Sequence, residues 1–558
     1  MNKITDTPRN VTKPLNICSD FHLGRHFFGL VGGFFVGLSV TLWLKTYKKQ
    51  RIMNKKTIIT ILFALVAMTG QGQTANDYWI AADKALAAGN TDSTFYYLNL
   101  FREHFGRQYA AAYTTFLTDE DYRILHNDAR WTAFMDSMRT YKHEAEDKQE
   151  IAYPRKTVVE DFNAPIVNRY DIHLDIDVEK KTLDVTATAQ IDFKGRESMD
   201  FTLWRYSVIN HIRCKKKDLA YTFDTTAKSP NQYIRQGAPL RLSAPKSKGK
   251  CEITLEYTCN FDSLDSWMSS MEKDWVQLGY YMAWFPINSD SRDFTANVSV
   301  SINDNYTVSG SGIVERLGNE WKMLQPWGGF DLQIVASPNL KSKKMTSNGR
   351  TFEVVYTDFA DVDVDSALVA CDKALRFYTK LFKTNPSNNY IKFLVVPSRG
   401  GGISRKNFIA YTARRFNENF KTAIGHEMGH FWWNKAPTFS WEDWLNEGFA
   451  EFSMLWYIKC HFSKHIFDCY LEACCENARH ACPIYEVDRD APEAYDALYN
   501  KGALLLYDLS QKVGEEKFFG FIQGVAEREI SSTGQLLKYA EDTLGHDVKE
   551  WIEDRIKS

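Results

Sequence analysis

The chain changes its hydrophobic period twice. Between residues 76 and 150, apolar positions recur at helical spacing in 81–88, 94–105, 108–116 and 131–145, with Gly89-Asn90 and Gly106 as breaks. From Val158 the period becomes two. Tyr170, Ile172, Leu174, Ile176 and Val178 alternate with polar residues, as on a half-buried strand. Further strands are expected at 181–193, 253–257, 296–302, 306–310 and 332–337. Residues 155–345 therefore read as an all-β, sandwich-like domain, ended by a charged loop at 341–350. After 350 the pattern is mixed. A helix is expected at 361–383 and strands at 390–396 and 408–412. Helices follow at about 420–434, 443–460, 494–513, 515–528 and 534–557, the last breaking at Gly545. The whole is an α+β multidomain chain, with residues 350–558 as its mixed α/β part.

The first 75 residues carry a different signal. An uncharged run at 27–44 is followed by Lys45, Lys48, Lys49 and Arg51, and it is long enough to span or anchor in a membrane. A second apolar run at 58–68 follows a basic start at Met53-Asn54-Lys55-Lys56 and precedes small or polar residues. Residues 53–74 thus have the layout of a secretory signal peptide, with 1–52 as an upstream extension or membrane anchor. This implies an exported protein: periplasmic, cell-surface or secreted. Five of the ten cysteines fall between 460 and 482, where bridges are expected in an exported protein. The stretch from Asn76 to Phe105 resembles a tetratricopeptide helix pair. One pair cannot bury its own face, so it serves either as a platform for a protein partner or as a cap on a neighbour.

Composition adds limits. The 68 Lys+Arg against 70 Asp+Glu give a net charge of -2, which argues against a nucleic-acid partner because that needs a basic field. Aromatics at 14% favour large cores or aromatic-lined clefts.

The chemistry concentrates after residue 420. His426-Glu427-Met428-Gly429-His430 is an H-E-x-x-H pentapeptide. Histidines four apart share a helix face, so both can reach one metal, with Glu427 beside it. Zinc suits two imidazoles and one carboxylate, a set that leaves a fourth position open. Asn446-Glu447-Gly448-Phe449-Ala450-Glu451 begins a second helix. Glu447 supplies the third ligand, and Glu451 lies one turn on, placed to hold a liganding histidine. Later comes Leu498-Tyr499-Asn500-Lys501-Gly502, whose phenol is suited to donate a hydrogen bond to a developing oxyanion.

On these motifs the sequence resembles the aminopeptidase N-type zinc metallopeptidases, a gluzincin family. H-E-x-x-H matches 426–430, N-E-G-F-A matches 446–450, and Y-x-K-G matches 499–502. Residues 167–338 resemble the family's N-terminal β-domain, and 281–286 its segment leading into W-F-P. The resemblance implies a thermolysin-like catalytic domain, one zinc per chain on His426, His430 and Glu447, Glu427 as general base and Tyr499 as oxyanion donor.

Three departures qualify that expectation. Sixteen residues separate His430 from Glu447, two fewer than is usual. The family's G-A-M-E-N strand, which lies along the substrate, aligns with Gly401, Gly402, Ile403, Ser404 and Arg405. The glutamate that would hold a free amine is Ser404 here, and Arg405 beside it is a cation, expected to repel an ammonium and favour a carboxylate. Only 111 residues follow Glu447, fewer than the family's C-terminal helical domain needs, so an open cleft is expected.

The leading expectation is an exported zinc peptidase acting on a peptide or protein substrate, not strictly dependent on a free N-terminus. Two other classes fit the same residues: a weak or inactive relative that binds proteins, or a classical aminopeptidase. A zinc hydrolase of a non-peptide amide or ester is a further reading.

Overall fold

The computed structural model describes residues 74–158, 161, 163–386, 389–397, 401–413 and 418–558. The apolar runs at 27–44 and 58–68, and with them the anchor and signal-peptide readings, lie outside the described residues. Among the described residues no helix is long and apolar enough to cross a membrane. The chain divides into two compact units, meeting in sequence between Lys148 and Gln149.

The first unit is helical: Ala75–Ala87, Thr91–Phe105, Ala112–Thr118 and Ala129–Glu146, with a 3-10 turn at Glu120–Leu125. Thr74 and Asp77 form a reciprocal cap on the first helix, satisfying backbone donors that have no partner within it. The helix pair expected at 76–105 does not stand open. Trp79 stacks on Phe116 at 4.3 Å, and Phe101, Phe134 and Trp131 fill the same buried core. The later helices of this unit cover the face that a lone pair leaves exposed.

The second unit opens with the β-region. An eight-stranded sheet runs in the order Ile313–Leu317, Glu320–Gly329, Phe294–Ser301, Ile166–Asp177, Thr182–Asp192, Lys250–Asn260, Ser207–Cys214 and Lys217–Asp218. Tyr170, Ile172, Leu174 and Ile176 are all buried, as the alternation predicts. Ile166–Asp177 pairs in parallel with Phe294–Ser301, with Ile172 opposite Val298. A three-stranded and a four-stranded sheet contribute Phe201, Leu240, Val276 and Ile334 to the same core. The sheets thus pack face to face, as the sandwich reading expects. Trp284-Phe285-Pro286 is buried inside: Tyr170 and Tyr257 donate their hydroxyls to the carbonyls of Pro286 and Trp284 at 2.5 and 2.9 Å.

A five-stranded mixed sheet follows, in the order Lys341–Ser347, Arg350–Tyr356, Tyr390–Val395, Phe408–Tyr411 and Gly402–Arg405. The expected charged loop at 341–350 is instead the hairpin that starts this sheet. Its lysines sit on an outer strand, where charge discourages further pairing. The helix Asp361–Phe382 connects two parallel strands and lays Val364, Leu368, Leu375 and Tyr378 into the core. At the other edge, Gly402–Arg405 is antiparallel to Phe408–Tyr411 and is the last strand of the sheet. The remainder is helical, and the final break falls at Gly545, which adopts a φ of 100°.

Candidate metal centre and active site

Two helices carry the candidate metal-binding side chains. Glu418–Gly429 bears His426 and Glu427 and ends just before His430; Trp444–His461 bears Glu447 and Glu451. Their backbones approach closely at Gly429, where a Cβ would lie 3.2 Å from the Cα of Ala450. The Tyr378 hydroxyl lies between the carbonyls of Gly425 and Ser453, at 2.8 and 2.9 Å, and so ties one helix to the other. Asn446 closes the shortened connection. Its side chain accepts from the Ala436 N–H at 3.1 Å and donates to the Ala436 carbonyl at 3.0 Å.

This packing brings three ligand atoms together. His426 Nε2 and His430 Nε2 are 3.2 Å apart. Glu447 Oε2 lies 3.5 Å from the first and 3.2 Å from the second. Donors each about 2 Å from one tetrahedral ion would be spaced about 3.3 Å, so the triangle has the size zinc requires. The chemistry of the donors fits as well. His426 Nδ1 faces Glu451 Oε2 at 2.9 Å and His430 Nδ1 faces the Trp433 carbonyl at 3.1 Å. With both protons held on Nδ1, two Nε2 lone pairs point at each other, and a cation between them resolves the conflict. Glu447 Oε2 is buried and makes no hydrogen bond. Burial opposes its charge, but positive charge on His430 and His426, whose rings are protonated when no cation is held, keeps the Glu447 carboxyl well below the usual carboxylate range. A zinc held here supplies a Lewis acid that acidifies water and polarises a carbonyl.

The groups expected to move and hold protons stand beside the triangle. Glu427 is 8% exposed, and burial raises its carboxyl above the ordinary range, against the pull of His426 and His430. That shift suits a group that takes a proton and passes it on. A Cβ on Gly402 would lie 2.4 Å from Glu427 Oε1, so the edge strand runs directly past the base. Tyr499 sits in a π-helical turn, Ala497–Lys501. The wide turn buries Leu498 and Asn500 and lays the Tyr499 ring parallel to His426, centroids 6.1 Å apart at 6°. Burial and the nearby Glu447 charge keep the phenol protonated, well above its ordinary range, so it can only donate or accept as a neutral group.

The residues aligned with the family's G-A-M-E-N strand lie at the sheet edge. Gly401 has a φ of 112° and lies under Trp267, where a Cβ would meet the indole at 2.9 Å. Gly402, Ile403, Ser404 and Arg405 form the edge strand, with Ile403 buried. Ser404 Oγ is buried and makes no hydrogen bond. Arg405 does not face the cleft as a free cation. Its Nε donates to Asp331 at 2.9 Å, side chains 15% and 0% exposed, and its guanidinium stacks over Phe330 at 4.5 Å. Asp331 also accepts from the Tyr280 N–H at 3.0 Å and from Gln333 at 2.9 Å. The charge expected to select acidic substrates is therefore neutralised within the protein. Glu442, another acid near the motif, is engaged elsewhere and accepts from the Thr533 N–H and hydroxyl at 2.6 and 2.5 Å. In the cysteine-rich stretch, buried Cys474 directs its thiol to the Asn500 carbonyl at 3.2 Å.

Asp331 and Tyr378 belong to no motif. Their signal is three-dimensional, since each meets a partner distant in sequence.

The His-His-Glu triangle on two packed helices, with an acid inside the pentapeptide and an edge strand beside it, has the donor set and spacing that a gluzincin-type zinc centre needs. The family model "Peptidase family M1 domain" matches residues 373–553. Human endoplasmic reticulum aminopeptidase 2 is 30% identical over 176 residues, covering 27% of this chain and 18% of that protein. Tricorn protease-interacting factor F2 of Thermoplasma acidophilum is 24% identical over 249 residues, covering 39% and 31%. The chain thus spans less than a third of the length of these curated relatives. Among solved structures, an M1 zinc metallopeptidase mutant from Deinococcus radiodurans bound to a Tyr-Ser-Ala substrate aligns with a TM-score of 0.54 at 15% identity, covering 73% of this chain and 98% of that one. Leukotriene A4 hydrolase from Saccharomyces cerevisiae aligns at 0.55 with 18% identity, covering 74% and 70%. The family match thus falls on residues 373–553, the part of the chain that holds His426, His430, Glu447 and Tyr499.

Proposed function

We propose that this protein is an exported zinc peptidase that hydrolyses peptide bonds and does not require a free substrate N-terminus. The observation that carries the peptidase reading is the triangle of His426, His430 and Glu447, with an orphaned carboxylate oxygen and two facing Nε2 atoms. Around it, Gly402–Arg405 offers its unpaired edge to an extended peptide as an added strand. Glu427, at that edge, takes a proton from the attacking water and delivers it to the leaving amine. Tyr499 donates to the carbonyl oxygen as charge gathers there.

Independence from the N-terminus rests on the wall itself. An ammonium needs a fixed anion one residue before the scissile bond. The aligned position is Ser404, and the neighbouring Arg405–Asp331 pair carries no net charge. Glu427 beside the edge strand and the Tyr499 ring lying parallel to His426 favour an enzyme over an inert binding relative. The test is hydrolysis of a peptide library in paired forms, free and acetylated at the N-terminus, by the zinc-loaded chain with and without chelator. Comparable, chelator-sensitive cleavage of both forms is expected. Release of single N-terminal residues that acetylation abolishes would return the protein to the classical aminopeptidases. Export, inferred from residues 53–74, is checked by the N-terminal sequence of the mature protein in fractionated cells.

A further inference from the structure

Arg489 belongs to none of the motifs, yet it contacts the oxyanion donor. Its Nε donates to Asp443 Oδ2 at 2.7 Å, and the two side chains are 13% and 2% exposed. A terminal guanidinium nitrogen lies 3.4 Å from the Tyr499 hydroxyl. The guanidinium carbon is 5.8 Å from the Tyr499 ring centroid and 5.9 Å from that of Tyr233. Asp443 accepts in turn from Asn446 at 2.8 Å, the residue before the ligand Glu447. One buried network therefore runs from the second zinc helix through Asp443 and Arg489 to Tyr499. Tyr495, one helical turn before Tyr499, stacks on its ring at 4.3 Å.

The direction of these bonds matters. A guanidinium has donors only and keeps its charge at any working pH. Whatever it gives to Tyr499 occupies a lone pair of the phenol oxygen. A phenol has one proton, and that proton must then point away from Arg489. Donation into the oxygen also polarises the O–H bond and strengthens it as a donor. An ion pair made only to satisfy Asp443 would not need to reach Tyr499.

We propose that Arg489 is a positioning residue for the oxyanion donor: anchored on Asp443, it donates to the Tyr499 oxygen, directs the phenolic proton toward the substrate carbonyl and polarises it. This rests on the peptidase reading of Tyr499. Arg489 touches no substrate in this scheme, so its removal lowers kcat while leaving KM nearly unchanged.

The experiment uses the full zinc-loaded chain as parent, Arg489→Met, Arg489→Lys, Tyr499→Phe and the Arg489→Met/Tyr499→Phe pair. Two ligands with the same side chains are titrated by calorimetry: a phosphinic peptide, which presents a tetrahedral oxyanion, and a thiol peptide, which binds metal through sulfur alone. Arg489→Met is expected to lower kcat ten- to hundredfold with KM within threefold. It should weaken the phosphinic peptide at least tenfold and the thiol peptide less than twofold. In the Tyr499→Phe background the same substitution should change neither quantity by more than twofold. Arg489→Lys, which keeps the charge beside Asp443, should restore the parent melting temperature and part of kcat. Equal weakening of both ligands, or losses that simply multiply in the Tyr499→Phe background, would overturn the proposal. Should Arg489→Met fail to fold because Asp443 is left unpaired, the Arg489→Met/Asp443→Asn pair is read on the same affinity ratio. If the parent binds both ligands but hydrolyses nothing, the peptidase reading fails while the ratio still decides the role of Arg489.

Discussion

Gly448 and Gly502 are in backbone contact: a Cβ on Gly448 would lie 3.0 Å from the Cα of Gly502 and 2.9 Å from the Leu498 carbonyl oxygen. The helix carrying Glu447 and the turn carrying Tyr499 meet where neither has a side chain. The glycines in N-E-G-F-A and Y-x-K-G are thus two halves of one contact. Gly448→Ala is expected to cost about 2 kcal/mol through overpacking against backbone. It should also loosen zinc binding, because Glu447 moves with it. Denaturant unfolding and a zinc titration measure the two effects, and a variant equal to the parent in both would show the contact to be slack.

One zinc per chain is expected by elemental mass spectrometry. His430→Ala should abolish stoichiometric binding. Glu451→Gln, which weakens the hold on His426 Nδ1, should lower affinity about tenfold to a hundredfold. Unchanged metal content in His430→Ala would remove His430 from the ligand set.

Glu427→Gln should keep the metal and lose most hydrolysis, since an amide cannot accept and return the proton. Tyr499→Phe should lower kcat about a hundredfold with little effect on KM. A Phe variant as fast as the parent would assign Tyr499 to packing alone.

Arg405→Ala should act on stability before specificity. It leaves Asp331, with a fully buried side chain, without its ion-pair partner. The cost is expected to be about 3–5 kcal/mol, and Arg405→Ala/Asp331→Asn should recover most of it. Chemical denaturation of the single and double variants decides this. A stable single variant with an altered preference for acidic peptides would instead restore the direct role in substrate choice.

Lys392 lies in the five-stranded sheet and reaches the β-region, donating to the Gly312 carbonyl at 2.7 Å and to Ser309 at 3.2 Å. Burial pushes its ammonium down to about 8, against the pull of Glu353 at 3.7 Å and with Lys344 adding repulsion. An unfolded lysine titrates near its ordinary 10.5. Between those pH values the unfolded chain binds more protons, so this residue's contribution to stability rises with pH from about 8 toward 10.5. Below about 8 both forms are charged and the full cost, about 3 kcal/mol, is present. Urea unfolding at pH 7, 8 and 9 should show the parent gaining on Lys392→Met by about 1 kcal/mol across the last unit and little across the first. A constant difference would place the proton elsewhere.

The parts of this molecule readable from sequence are those set by short spacings. The histidines 426 and 430 face one way because four residues make about one helical turn, whatever surrounds them. The alternation from Tyr170 to Val178 likewise reports a sheet with one buried face. Pairings between distant segments left no such trace. Nothing local to Ile166–Asp177 announces its parallel partner Phe294–Ser301. The strand Lys341–Ser347 reads as a loop because this edge strand carries three lysines and no buried residue. Arg405 looked like a free cation because Asp331 is 74 residues away. The π-helical turn at Tyr499 is also unannounced, since Leu498 and Asn500 suit an ordinary helix equally well.

Gly402–Arg405 is a sheet edge of four residues, about 13 Å long. If the chain reads peptides by their backbone, as proposed, it has to leave some of its own backbone unpaired, and an unpaired edge does not distinguish a peptide from a strand of another protein molecule. Its shortness is the safeguard. Gly401 turns the chain under Trp267 at one end, and Arg405 is held by Asp331 at the other. A single extended segment fits between them, whereas a growing stack of strands finds too little length to hold. On the proposed function, the dimensions that would admit one peptide are also too short to hold a stack of strands.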